Sequence, residues 1–131
     1  MAPPPPGFTP LDDPGPFLAH VGPVLGSPDG VLGIQAEDHH LNQNGTVMGG
    51  LLATLVDAAL AAGIRRDADD EVQIATVSLT TDYLRAAPAG AWLEARTEVE
   101  RLGGRLAFAD CSVRADGEEV VRARAVFAVR S

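Results

Sequence analysis

Asp57 is the one charged residue in positions 51–64, a stretch otherwise made of Leu, Ala, Val, Thr, Gly and Ile. The stretch reads as helix, so this acid stands mid-helix and not at a cap, where a carboxylate would be ordinary. Burying an unpaired carboxylate is costly, and no Arg or Lys lies within two turns to pair with it. Two readings are open: a carboxylate bonded to a neighbouring amide or Arg for structure alone, or a general base or nucleophile. The missing cation favours the second. Just upstream, Gly45-Thr46-Val47-Met48-Gly49-Gly50 leads straight into the helix. Glycines at a helix start let a ligand approach free backbone amides, and the positive end of the dipole favours a developing oxyanion.

The spacing between these two features has a geometric consequence. Eight residues rise about 12 Å along a helix axis and turn by roughly 80°. One helix therefore cannot bring the Gly49 amide and Asp57 to a single carbonyl. The chain offers one such helix, so if both groups act together they come from two copies, and the expected unit is a homodimer.

Other chemistry-bearing residues read more plainly. His39 and His40 are adjacent and poorly placed to aim at one ion, which points to a hydrogen-bonded loop in place of a metal site. Cys111 is the only cysteine, excluding an intramolecular disulfide and a cysteine zinc cluster. It alternates with inward Ala and Val and reads as a buried, inert thiol. Trp92 starts a strand and suits core or dimer packing ahead of ligand lining. Ten Arg, no Lys and eighteen acids give a net charge of −8, which argues against non-specific nucleic-acid binding and against an anionic membrane surface.

These residues need elements to hold them. A chain of 131 residues fits one domain. Residues 1–16 carry seven of the ten prolines and read as an extended or disordered leader, leaving 17–131 as the domain. Residues 17–21 suit one helical turn. Residues 31–37 read as a strand and 38–44 as a polar loop. The helix from Gly49 to about Arg65 is apolar nearly all round, which predicts burial on every side. An acidic turn at 67–70 follows, then four strands joined by hairpins. Ala91, Leu93, Ala95, Thr97 and Val99 alternate with Glu94, Arg96 and Glu98. Leu102-Gly103-Gly104-Arg105 and Ala115-Asp116-Gly117-Glu118 are hairpin signals. A long helix against an antiparallel sheet is α+β. No signal peptide is legible, and the 14-residue apolar run is too short to span a bilayer, so the expected location is cytoplasmic.

The segment Asn42-Gln43-Asn44-Gly45-Thr46-Val47-Met48-Gly49-Gly50-Leu51-Leu52-Ala53-Thr54-Leu55-Val56-Asp57, with Thr76-Val77-Ser78-Leu79-Thr80-Thr81-Asp82-Tyr83-Leu84-Arg85 and Pro88-Ala89-Gly90, resembles the hotdog-fold acyl-CoA thioesterases of the phenylacetyl-CoA thioesterase-like branch. The resemblance covers about residues 30–129. It implies a hotdog fold, a curved antiparallel sheet wrapped round a long central helix, and hydrolysis of an acyl- or aryl-acyl-CoA to the acid and CoA. Asp57 would activate the water or attack the thioester itself, and the Gly49 amide of the facing subunit would polarise the carbonyl. Asn42 matches a polar orienting position and Ser78 one that holds the water, while Met48, Gly50 and Thr54 match substrate-binding positions.

The same resemblance implies a homodimer or a tetramer built as a dimer of dimers. No metal or redox cofactor is required, because an acid, a water and an amide complete the hydrolysis. Arg65, Arg66, Arg101, Arg105 and Arg130 are the candidates for the CoA phosphates. One departure stands out: the family usually has His before the Gly pair, and here Met48 takes that place, a side chain that cannot carry a proton. The alternative reading is accordingly a non-catalytic acyl-CoA-binding module. A hydratase needs a His acid/base near the helix, and this helix has none.

Overall fold

The computed structural model describes residues 4–68 and 71–130. Nine elements and one 3-10 turn follow in order: β1 Thr9–Pro10, α1 Pro16–Val21, β2 Leu25–Gly26, β3 Leu32–Gln35, a 3-10 turn at Asp38–His40, α2 Gly49–Asp67, β4 Gln73–Tyr83, β5 Trp92–Leu102, β6 Leu106–Ala115 and β7 Glu118–Arg130. The strands make one antiparallel sheet in the order β1-β2-β3-β5-β6-β7-β4, and α2 packs across its concave face. The expected α+β architecture is present.

Alternation along the strands builds the core. Leu93, Ala95, Ala109, Cys111, Val113, Val121, Ala123, Ala125 and Phe127 face α2 and are buried, while the intervening Arg and Glu face solvent. Both hairpins form as their sequences predict. Asp116 and Gly117 have φ values of 48° and 89°, the pair of positive values that a two-residue turn between twisted strands requires. Gly63 lets α2 approach β5, because a Cβ there would stand 2.6 Å from the Thr97 methyl.

Three expectations change. First, β4 does not form a hairpin with β5. It crosses the sheet to pair with β7 at the far edge, and residues 84–91 make the return. Second, α2 is not buried on every side. Leu51, Leu52, Leu55, Val56, Ala59, Leu60 and Ile64 pack on the sheet, whereas Ala53, Thr54, Asp57, Ala58, Ala61 and Ala62 are only half-buried. The cause is geometric: a single sheet covers one side of a helix, and small apolar side chains on the other side leave a depression.

Third, the proline-rich segment enters the fold well before residue 17. Thr9–Pro10 pairs with Leu25–Gly26, where an edge strand tolerates proline. The Phe8 ring stands edge-on to Trp92, centroids 5.0 Å apart, and Leu11 packs against the core. Trp92 is buried, as expected, though on the sheet face opposite α2, under this N-terminal segment. The acidic turn extends to Asp69 and Asp70, which lie outside the described residues. Among the described residues no helix is long and apolar enough to cross a membrane.

Candidate active site

The start of α2 is fixed by a histidine. His40 is buried; its Nδ1 accepts from the Glu37 N–H at 2.9 Å and its Nε2 donates to the Val21 carbonyl at 2.5 Å. One neutral tautomer satisfies both bonds. The His40 carbonyl in turn accepts from the Met48 N–H at 2.8 Å. For His40 the hydrogen-bonded loop read from the sequence is present, while His39 beside it is exposed and its ring makes no hydrogen bond among the described residues. Asn42 has a related task. Its Oδ1 accepts from the N–H groups of Asn44 and Thr46, at 2.9 and 3.2 Å, and its Nδ2 donates to Thr46 Oγ1 at 3.0 Å. Both ends of this amide are engaged within the loop, so Asn42 shapes the approach to α2.

Met48 caps α2 with backbone alone. Its carbonyl accepts from Leu51 and Leu52, and its side chain is exposed. The N–H groups of Gly49 and Gly50 fall in the first turn, where no helical carbonyl reaches them, and they have no partner among the described residues. They are free donors at the positive end of a 19-residue helix. Tyr83, at the end of β4, donates from its hydroxyl to the Gly49 carbonyl at 2.8 Å. Its ring would lie 3.4 Å from a Cβ at position 49. Nothing in the residue spacing pointed to Tyr83, because the contact depends on where β4 ends relative to α2.

Two turns further along, Asp57 projects from the half-open side of α2 and not into the core. Thr76 Oγ1 on β4 donates to its Oδ1 at 2.7 Å, the only hydrogen bond its carboxylate makes among the described residues. No cation pairs with it there. The oxygen Oδ2 is left available to a water or a substrate.

Ser78, the hydroxyl expected here, is turned the other way. It sits opposite Val126, on the outer face of the sheet, whereas Thr76 sits opposite the inward Phe127. A bulge at Val77 makes the difference: two residues of β4 match one step of β7, which re-aims everything before it. Thr76 therefore takes the position beside Asp57. A hydroxyl two residues away in sequence was visible, but the bulge that selects it was not.

Of the other candidates, Gly50 and Thr54 lie on the first two turns of α2, and Thr54 donates to the Gly50 carbonyl at 2.9 Å. Arg65 ends the open face of α2 and is exposed. Arg66 is engaged, donating to the Asp29 carbonyl and packing on Gly30. Arg101 and Arg105 flank the β5–β6 turn, where the Arg105 carbonyl accepts from Val129, so Arg105 and Arg130 share one end of the sheet. The contact to Asp29 removes Arg66 from the free cations. Burial pushes the Cys111 thiol up to about 11, which keeps it protonated and inert.

A larger depression of about 990 Å³ lies on the outer sheet face among Asp110, Arg122 and Arg124. There Arg122 pairs with Glu119 and Arg124 with Asp110, whereas on the helix side Asp57 has no cation beside it among the described residues.

Comparison with known proteins agrees with this fold. The sequence profile of the Thioesterase superfamily matches residues 44–122, from the loop before α2 into β7. The chain is 35% identical over 127 residues to a Pseudomonas aeruginosa protein provisionally named an esterase, covering 94% of this chain and 95% of that one. A mutant of the phenylacetic acid degradation protein PaaI from Thermus thermophilus superposes with a TM-score of 0.74 at 31% identity, over 87% of this chain and 98% of that chain. The BH2602 protein of Bacillus halodurans, crystallised with CoA, reaches a TM-score of 0.79 at 24% identity, over 88% of this chain and 77% of its own; that likeness concerns the fold. The helix laid across a curved antiparallel sheet is the hotdog fold, and the match runs through both Gly49 and Asp57: the chain belongs to the thioesterase superfamily, among the PaaI-like hotdog proteins.

Proposed function

We propose that this protein hydrolyses an acyl-CoA or aryl-acyl-CoA thioester to the free acid and CoA, at a site shared between two copies of the chain. The observation that carries the reading is Asp57, an acid with one hydroxyl partner, no cation and a free oxygen on the open side of α2. In this reading Asp57 takes a proton from water as the water oxygen bonds to the thioester carbonyl carbon. The Gly49 N–H of the facing subunit holds the oxyanion of the tetrahedral intermediate. Collapse breaks the C–S bond, and the thiolate leaves with the proton that Asp57 received. The alternative route, in which Asp57 attacks the carbonyl directly and water resolves the anhydride, uses the same groups. Arg65, Arg101 and Arg105 remain the candidates for the phosphates of CoA.

Self-association is supported by β4. It is an edge strand of eleven residues with no partner on its outer side among the described residues. Val77 is 61% exposed, and Tyr83, Leu84 and Met48 near the same edge are exposed too. A long, uncovered, partly apolar edge is a liability that pairing with a second copy removes. The alternative, an acyl-CoA-binding module without turnover, is favoured by one observation. Met48 stands beside the free amides with a side chain unable to donate or accept a proton.

Complementation between two inactive variants tests the shared site. Asp57→Asn removes the base, and Gly49→Pro removes the donor. Proline suits the first helical position, and the extended Met48 backbone, at ψ 133°, is what precedes a proline without strain. Each variant alone should release no CoA. Co-expressed, half the dimers are mixed and each holds one intact site of two, so activity should return to about a quarter of wild type. Folded mixed dimers that stay inactive would refute the shared site.

A further inference from the structure

We propose that residues 11–18, the proline-rich segment that crosses the open face of α2, form the roof of the acyl pocket, with Phe17 setting the preference for chain length and Asp12 and Asp13 excluding acyl groups that end in a carboxylate. This rests on the hydrolase reading above and deepens it by naming the acyl class. Between this segment and α2 lies a groove of about 440 Å³, within the roughly 300–1,000 Å³ typical of small-ligand pockets. Asp57 lines it, so a chain attached to a carbonyl at Asp57 enters the groove directly. Its floor continues along α2 through Ala58, Ala61 and Ala62, and its walls include Leu11, Leu18 and Leu32.

Two features of the roof need an explanation that folding alone does not supply. Phe17 borders the groove yet is 62% exposed, a large apolar ring left in water until something apolar fills the space beside it. Asp12 and Asp13 also border it and make no ion pair among the described residues. With Asp57 they put three carboxylates around a groove whose lining holds one cation, Arg65. An uncharged acyl chain meets apolar walls there, whereas a chain ending in a carboxylate meets like charge at short range. The roof thus fits octanoyl-like or aryl acyl groups and rejects succinyl-like ones.

The test measures CoA release from acetyl-, octanoyl- and succinyl-CoA by wild type, Phe17→Ala and the Asp12→Asn/Asp13→Asn double variant. Asparagine tolerates the positive φ of Asp13, 44°, as well as aspartate does. Because all three side chains are exposed, the variants should fold, and a melting curve checks this. Phe17→Ala should lower the octanoyl-to-acetyl ratio of kcat/KM about tenfold, as expected for losing an apolar wall contact. The double variant should raise the succinyl-to-octanoyl ratio about fivefold at low salt, with the gain shrinking as salt screens the repulsion. If wild type turns over thioesters but both ratios stay within twofold, the roof is refuted and the hydrolase reading stands. If Phe17→Ala slows all three substrates in parallel, the segment acts on folding and the roof is refuted as well. If wild type releases no CoA from any thioester, the hydrolase reading falls and takes the roof with it.

Discussion

The two faces of the sheet handle charge in opposite ways. On the outer face, Arg124 Nε meets Asp110 at 3.1 Å and its Nη2 meets Glu100 at 3.9 Å, while Arg122 meets Glu119 at 3.0 Å. The Ser112 hydroxyl, 2.6 Å from Glu119, and then Arg122 hold that carboxyl below its ordinary range. Every one of these acids has a partner across or along the strands, which is what a solvated antiparallel face needs and no more. On the helix side, Asp57, the one acid within the apolar run of α2, has a hydroxyl and nothing else among the described residues. Charge paired in this way suits a scaffold, and the acid without a cation is the one that the proposed hydrolysis uses.

The sharpest way to break the contrast is to remove the acid while keeping its volume. Asp57→Asn should lower kcat for thioester hydrolysis about a thousandfold, in the range set by loss of a general base, with substrate binding retained in an equilibrium assay. Turnover within threefold of wild type would make Asp57 one more structural carboxylate.

The next effect separates two hydroxyls on one strand. Thr76→Ala removes a hydrogen bond to a charged group, worth about 1.5–3 kcal/mol, and should slow turnover about ten- to a hundredfold. Ser78→Ala, on the outer face, should stay within about threefold by the same steady-state assay. The reverse order would mean that the bulge at Val77 does not aim the strand as described. The smallest effect belongs to the scaffold. Asp110→Asn removes the nearer of Arg124's two acidic partners on the outer face and should shift unfolding stability by less than about 1 kcal/mol, read from denaturant melts, with hydrolysis unchanged.

Much of this molecule is written locally in its residues. The apolar run with its single acid, the Gly pair before it and the Asp116-Gly117 turn each depend on contacts within a few positions, so α2, its N-terminal amides and the last hairpin are legible before any folding. The α+β class follows from one long helix and alternating strands, and the proposal of Asp57 and Gly49 as site residues rests on residue type and spacing. What the tertiary structure decided is where distant segments meet. β4 pairs with β7 and not with its neighbour in sequence, because a crossover and an edge position are matters of sheet closure. The bulge at Val77 exists only against β7, and it chooses Thr76 over Ser78. The end of β4 brings Tyr83 onto Gly49. The proline-rich segment reads as a leader because proline disfavours regular structure, yet Phe8 and Leu11 find Trp92 and the core only once the sheet is made. Local chemistry specifies the groups; only the packed sheet specifies which of them face one another.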